Sequence, residues 1–114
     1  MKEGRVIMQI FDMINLEAEG YEKRNVNVFF QNDLFKVRVI VLEAGGVIPT
    51  CQMDSFVMFY VVKGEVVLRK NDETAILKEN QVFITEPAVL SMETTAGARL
   101  MDIQINRVLG TGGV

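Results

Sequence analysis

The side chains that could carry out nucleophilic or acid–base chemistry are few. The chain of 114 residues contains no histidine and one cysteine, Cys51. Without an imidazole it cannot form a Ser-His or Cys-His nucleophile pair, a histidine general base or a histidine-based metal site. Among the groups that remain, the thiol of Cys51 is the candidate nucleophile, and the carboxylate of Glu93 is a candidate general acid or base.

Cys51 and Glu93 each have a chemical and a structural interpretation. A thiol in a pocket could be a nucleophile, but a free cysteine is more often a small buried hydrophobe, and we favour that role for Cys51. Together with Met53 it could hold a soft Cu(I) ion, although two soft donors make an incomplete site. Glu93 could act as a general acid or base in a cavity; we favour solvation, or pairing with Arg38 or Arg99.

The elements that must position these groups are β-strands. From Asn25 onward the chain is rich in β-branched and aromatic residues, with turn residues at short intervals, which is typical of an all-β fold. Asn71-Asp72 predicts a tight hairpin, because both residues tolerate positive φ angles. The predicted strands are Asn25–Gln31, Phe35–Leu42, Phe56–Val62, Glu65–Lys70, Thr74–Leu77, Gln81–Thr85, Leu90–Thr94 and Arg99–Asn106.

Two of the predicted strands alternate in polarity. Arg38 lies between Val37 and Val39, and Asp102 lies between Met101 and Ile103. Successive residues of a strand point to opposite faces. The alternation therefore predicts one wet or polar face and one apolar face on each of these strands.

The segment Leu42–Gly64 resembles the first sequence motif of the cupin superfamily, G-x5-H-x-H-x3-E-x6-G. Gly45, Pro49 and Gly64 fall at the spacing of that motif, and Pro87 falls at the proline of the second motif. The resemblance covers roughly residues 35–106. It implies an all-β, double-stranded β-helix, the jelly-roll barrel of the cupins.

The resemblance also assigns the positions that hold a metal in many cupins. These positions are Cys51, Met53, Val57 and Ser91, and none of them is a histidine or a glutamate. The resemblance therefore predicts a barrel with no metal and no other cofactor. The predicted ligand pocket consists of Cys51, Met53, Val57, Phe59, Ser91, Glu93 and Met101.

Three functions are compatible with such a barrel. The first is a metal-free cupin that binds a small, largely apolar ligand as a sensor, carrier or regulatory module. The second is a metal-independent enzyme of the isomerase or lyase type, with Glu93, Cys51 and Ser91 as candidate groups. The third is a purely structural homodimeric subunit. A fourth, a cupin dioxygenase that takes its metal ligands from Asp54, Glu86, Glu93 or Asp102, is disfavoured, because those residues are not at the spacing of the family. Fold alone does not choose among them, and enzymatic activity stays open.

We expect one domain over residues 1–114, with its core in 25–106 and a frayed tail at 108–114. Residues 1–20 could form a short helix or an extra strand, and the apolar segment Val6–Phe11 could exchange between subunits of a homodimer. The net charge of −3 gives no footprint for nucleic acid or an anionic membrane. The single cysteine, with no signal peptide or transmembrane run, predicts a cytoplasmic location.

Overall fold

A computed structural model describes residues 8–106 and shows two antiparallel β-sheets. The first sheet has the order β1-β2-β8-β4-β6, and the second has the order β5-β4-β7-β3, so that β4 belongs to both. This arrangement confirms the predicted all-β fold. The strands are β1 Val28–Gln31, β2 Phe35–Leu42, β3 Val47–Met53, β4 Val57–Lys70, β5 Glu73–Lys78, β6 Val82–Thr85, β7 Ala88–Glu93 and β8 Ala98–Ile105.

The strand β4 passes from the first sheet to the second at Gly64. We predicted a break between two strands at Lys63-Gly64, and that prediction is wrong, because the strand is continuous. Gly64 has a φ of 85°, and a Cβ atom added to it would lie 2.4 Å from the carbonyl oxygen of Gly97. Only glycine allows both this backbone angle and this close approach. The predicted turn at Asn71-Asp72 is confirmed: it joins β4 to β5, and Asn71 has a φ of 52°.

The strand β3 was missed by the sequence analysis. It lies at the edge of the second sheet, beside β7 only, and Thr50, Cys51 and Gln52 are exposed on it. Its Pro49 cannot donate a hydrogen bond to a neighbouring strand, which is tolerated at a sheet edge. A polar, proline-containing segment of this kind lacks the alternation by which strands are recognised in a sequence.

The hydrophobic core fills the space between the two sheets. Its members come from facing strands of both sheets and include Ile40, Phe59, Leu68, Met92 and Leu100, each at most 4% exposed. We use "inner face" for the side of each sheet that carries these residues and "outer face" for the other side.

An irregular N-terminal segment, residues 8–20, packs on the first sheet. Arg99 on β8 donates hydrogen bonds to the carbonyl oxygens of Met13 (2.7 Å) and Leu16. The Asn27 side chain exchanges two hydrogen bonds of 2.8 Å with the backbone of Glu19. These contacts hold the segment against the barrel without any regular secondary structure of its own.

The sequence prediction for this region needs correction. Residues 8–20 form neither a helix nor a strand, and a kinked 3-10 helix at Tyr21–Asn27 replaces the predicted start of a strand at Asn25. Val6, Ile7 and the tail 108–114 lie outside the described residues. Within residues 8–106, no helix has the length and apolar character needed to cross a membrane.

Candidate functional site

A polar cluster occupies the inner face of the first sheet, at the end of the barrel away from Gly64. Phe59 in the core pairs directly with Asp102 on β8, and Asp102 pairs with Arg38 on β2. Directly paired residues of antiparallel strands point to the same side of the sheet. Arg38 and Asp102 therefore point into the barrel. The alternation of polarity was predicted correctly, but the polar face of these two strands is the inner one.

We define the inner polar cluster as Lys36, Arg38, Asp102 and Gln104. Lys36 pairs with Gln104 in the row next to Arg38 and Asp102. The Nε atom of Arg38 lies 3.2 and 3.1 Å from the two carboxylate oxygens of Asp102. The Nε2 atom of Gln104 lies 3.5 Å from Oδ2 of Asp102. The cluster is thus organised around the Asp102 carboxylate.

Asp102 is buried, and Arg38 is nearly so. Their side chains are 1% and 12% exposed. Burial raises the pKa of the Asp102 carboxyl, and the Arg38 guanidinium opposes that shift without cancelling it. Two ionisable side chains at the inner face of a small core are costly, because both lose their hydration. Packing alone therefore does not explain why this ion pair is present.

The guanidinium of Arg38 contacts Asp102 with only one of its three nitrogen atoms. It contacts Asp102 through Nε, and its two terminal Nη groups make no hydrogen bond to any side chain or backbone group within residues 8–106. A guanidinium presents five N–H donors in a planar fork, and the Nη groups provide four of them. These donors can bind water or another hydrogen-bond acceptor.

Apolar and neutral side chains continue the inner face beside the cluster. Phe83 pairs with Phe59, and Thr85 pairs with Val57. Met53 of the second sheet packs partly buried against the same core. The apolar part of the inner face begins at Phe59, directly beside Asp102, and Phe83 and Met53 lie further from Arg38 on the same core.

The seven residues of the predicted pocket do not converge on one place. Val57 and Phe59 lie on the inner face and are buried, and Met53 is partly buried there. Cys51 is exposed, so the structural role that we favoured for it as a buried hydrophobe is wrong. Its Sγ atom lies 3.6 Å from Sδ of Met53.

Ser91, Glu93 and Met101 point away from the interior. Met92, between Ser91 and Glu93, is 1% exposed and belongs to the core. The expectation that Ser91 and Glu93 point inward is therefore wrong, because the residue between them is the one that does. The alternation of Leu90 and Met92 with these two polar residues was the signal in the sequence that marks the inner face. Met101 neighbours Asp102 on β8 and therefore lies on the outer face.

Glu93 forms an ion pair near the surface. Its Oε1 atom lies 3.3 Å from Nη1 of Arg69, and the two side chains are 50% and 45% exposed. The expectation that Glu93 is solvated or paired is confirmed, but its partner is Arg69 rather than Arg38 or Arg99. Glu93 also lines a cleft of about 580 Å³ beside the crossing point of β4, whose walls carry Glu65, Lys78 and Glu79.

The residues at the metal positions do not fit a metal. Val57 has no donor atom, Ser91 points outward, and Cys51 and Met53 offer one thiol and one thioether at an exposed edge strand. Divalent metals of the cupin type need imidazole or carboxylate ligands. Within the part of the chain that the structure describes, no three Cys, Asp or Glu side chains form a group that could hold a metal ion.

A second notable surface is an apolar groove on the outer face of the first sheet. We call it the outer apolar groove; its volume is about 320 Å³. Phe56 and Ile84 at its rim are 53% and 64% exposed. Its lining includes Phe56, Met58, Ile84, Ile103 and Ile105.

Comparison with known structures identifies the fold. The sequence matches no protein-family model and no curated protein. The TT1209 protein from Thermus thermophilus superposes with a TM-score of 0.75 at 23% identity, over 89% of this chain and 100% of that one. A conserved protein with a double-stranded β-helix domain from Klebsiella pneumoniae gives a TM-score of 0.74 at 16% identity, over 87% and 90% of the two chains.

A third similar structure carries the cupin description. It is a cupin superfamily protein from Desulfitobacterium hafniense, with a TM-score of 0.67 and 12% identity over 70% of this chain and 74% of that one. The chain therefore has the cupin fold, the double-stranded β-helix that the sequence motifs predicted. At these identities the comparison concerns the fold, and function must be argued from the site.

Proposed function

We propose that this cupin barrel binds a small molecule at the inner polar cluster, without a metal, as a sensor, carrier or regulatory module. The observation that supports it is the ion pair of Arg38 and Asp102 on the inner face. A buried ion pair is weak as a source of stability, because hydrophobic residues of similar volume serve a core as well or better. Positioning a guanidinium for a ligand accounts for the pair.

The ligand that fits is mostly, but not entirely, apolar. Phe59 adjoins the polar cluster, and Phe83 and Met53 extend the apolar surface beyond it. Ligand sites commonly combine an apolar lining with a few polar groups that fix orientation. This refines the expectation of a largely apolar ligand by adding one polar anchor point.

Native mass spectrometry of the freshly purified protein tests the proposal. We expect an adduct of a few hundred daltons or less that is not a metal, and its loss on mild collisional activation. The Arg38→Gln variant should lose the adduct, whereas Arg69→Gln, which alters the exposed pair with Glu93, should keep it. An adduct that persists in Arg38→Gln would contradict this site.

The enzyme hypothesis loses its candidate groups in this structure. Glu93 and Ser91 point outward, and exposed Cys51 lies on the edge strand β3, so the three do not form one catalytic set. General acid–base catalysis needs its groups within hydrogen-bond reach of one substrate.

A second proposed role, compatible with the first, is a homodimer formed through the outer apolar groove. The rows Ile84–Met58–Ile103 and Val82–Tyr60–Met101 cross three strands without a charged side chain. A two-fold interface pairs a surface with itself, so an uncharged face avoids the repulsion between like charges. Exposed apolar patches of this kind mark interaction sites.

Light scattering on the eluting protein tests the dimer. Ile84→Glu should shift the mass from that of a dimer to that of a monomer. Ile76→Glu is the matched control, because Ile76 is equally apolar and 53% exposed but lies on β5, away from the groove. A monomeric wild-type protein, or a dimer that survives Ile84→Glu, would contradict this interface.

A further inference from the structure

The charges around the inner polar cluster do not balance. Lys36 and Arg38 contribute two positive charges, and Asp102 contributes one negative charge when ionised. With Asp102 ionised, the inner polar cluster thus carries one more positive than negative charge, although the chain as a whole carries −3.

The geometry of the donors suits a planar acceptor with two oxygens. Asp102 holds the guanidinium of Arg38 through Nε, and this contact leaves the Nη groups directed elsewhere. Guanidinium groups bind carboxylates through paired, parallel N–H···O bonds. Lys36 is one row further along the same face and can add a second charge-assisted contact. Successive rows on one face of a strand lie about 7 Å apart, which is within reach of a lysine side chain.

We propose that the inner polar cluster recognises the carboxylate of a small organic acid, bound by the terminal Nη groups of Arg38 with Lys36 beside it. This rests on the proposed small-molecule function of the same site and names its ligand class. The charge count favours a monoanion, because one negative charge neutralises the cluster with Asp102 ionised, whereas a phosphate dianion would leave an excess. The apolar body of the acid lies toward Phe83 and Met53.

Asp102 is a positioning residue in this account. It contacts Arg38 and orients the guanidinium, while the acid contacts the remaining donors. Arg is better suited than Lys to such a site, because its fork fixes the direction of its donors. Replacement of Arg38 by Lys should therefore weaken the binding of acids even though the charge is retained.

The test compares acids with their uncharged amides. Benzoate and benzamide, and hexanoate and hexanamide, are titrated separately into the full-length protein, and the Kd of each is measured by NMR. We expect each acid to bind at least tenfold more tightly than its amide. Arg38→Gln should abolish this preference, whereas Arg69→Gln and the outer-groove variant Met58→Gln should keep it.

If Arg38→Gln does not fold, Arg38→Lys takes its place, and at least a fivefold loss of acid affinity is expected. Equal binding of acids and amides would overturn the acid class while leaving small-molecule binding intact. Acid binding that survives the loss of Arg38 would overturn the site. If none of the four compounds binds, the acid proposal fails, and the native mass measurement decides small-molecule binding separately.

Discussion

The Nε atom of Arg38 donates to both carboxylate oxygens of Asp102, and so joins strands β2 and β8 between residues 64 positions apart in the sequence. The contact lies on the inner face, in the same row as Phe59. This contact is the centre of the proposed ligand site.

Replacing the whole pair should leave the fold at least as stable as it is now. The double variant Arg38→Met/Asp102→Leu should unfold in urea with a free energy equal to or above that of the wild type, because hydrophobic residues replace two desolvated charges. The single variant Asp102→Leu should cost about 3–5 kcal/mol, because it leaves the Arg38 charge without its partner. A double variant as unstable as the single one would show that the pair serves the fold.

The stability of the protein should depend on pH through Asp102. Burial raises the pKa of this carboxyl above the ordinary value of 3.8, so the folded state holds a proton that the unfolded state has released. The stabilisation from protonated Asp102 is complete below 3.8 and is lost as the pH rises through the raised pKa. The free energy of unfolding of the wild type, measured relative to Asp102→Asn, should therefore fall across that window.

The control for this pH dependence is Glu93→Gln at the exposed pair with Arg69, where solvent screens the charges. The difference in the free energy of unfolding between Glu93→Gln and the wild type should change less over the same pH range. A rise in the stability of the wild type relative to Asp102→Asn with increasing pH would contradict the prediction, since it would mean that Arg38 outweighs burial.

The crossing point of β4 should tolerate only glycine. Gly64→Ala should destabilise the protein by about 2–4 kcal/mol, because the positive φ and the approach to the Gly97 carbonyl both oppose a Cβ atom. Gly45→Ala is the matched variant: it has a φ of 78°, but no atom would lie within 4 Å of the added Cβ. Its cost should be about 1–2 kcal/mol. Equal costs in thermal or urea unfolding would show that the close approach is unimportant.

Divalent metals should not stabilise the protein. We expect Mn²⁺, Fe²⁺, Ni²⁺ and Zn²⁺ at millimolar concentration to leave the Tm unchanged, because Val57 and outward-pointing Ser91 supply no ligands to an interior site. Binding to the folded state alone would raise the Tm. The metal-free account would be contradicted if one of these ions raised the Tm of the wild type and also raised the Tm of Cys51→Ser.

The sequence predicted the frame of the barrel better than its interior. Gly45 and Gly64 were informative because positive φ angles require glycine, and this requirement is local. The direction of the polar face was not predictable in the same way. Val39 is fully buried on the outer face, so β2 has buried residues on both faces. The alternation of polar and apolar residues along β2 therefore does not indicate which face points inward.

Ser91 shows a second limit of the sequence analysis. An error of one residue in alignment with a motif reverses the face to which a strand residue is assigned. Met92 therefore occupies the interior position that we gave to Ser91. The pairing of Glu93 with Arg69 depends on the neighbouring positions of β4 and β7, which only the three-dimensional structure provides.

The most direct test of the ligand site is a map of backbone amide NMR shifts as benzoate is added to the isotopically labelled protein. We predict that the largest shifts fall on β2 and β8 around Arg38 and Asp102, with smaller shifts at Phe83 and Met53. Shifts centred on Met58 and Ile84, which line the outer apolar groove, would contradict the assignment of the ligand site to the barrel interior.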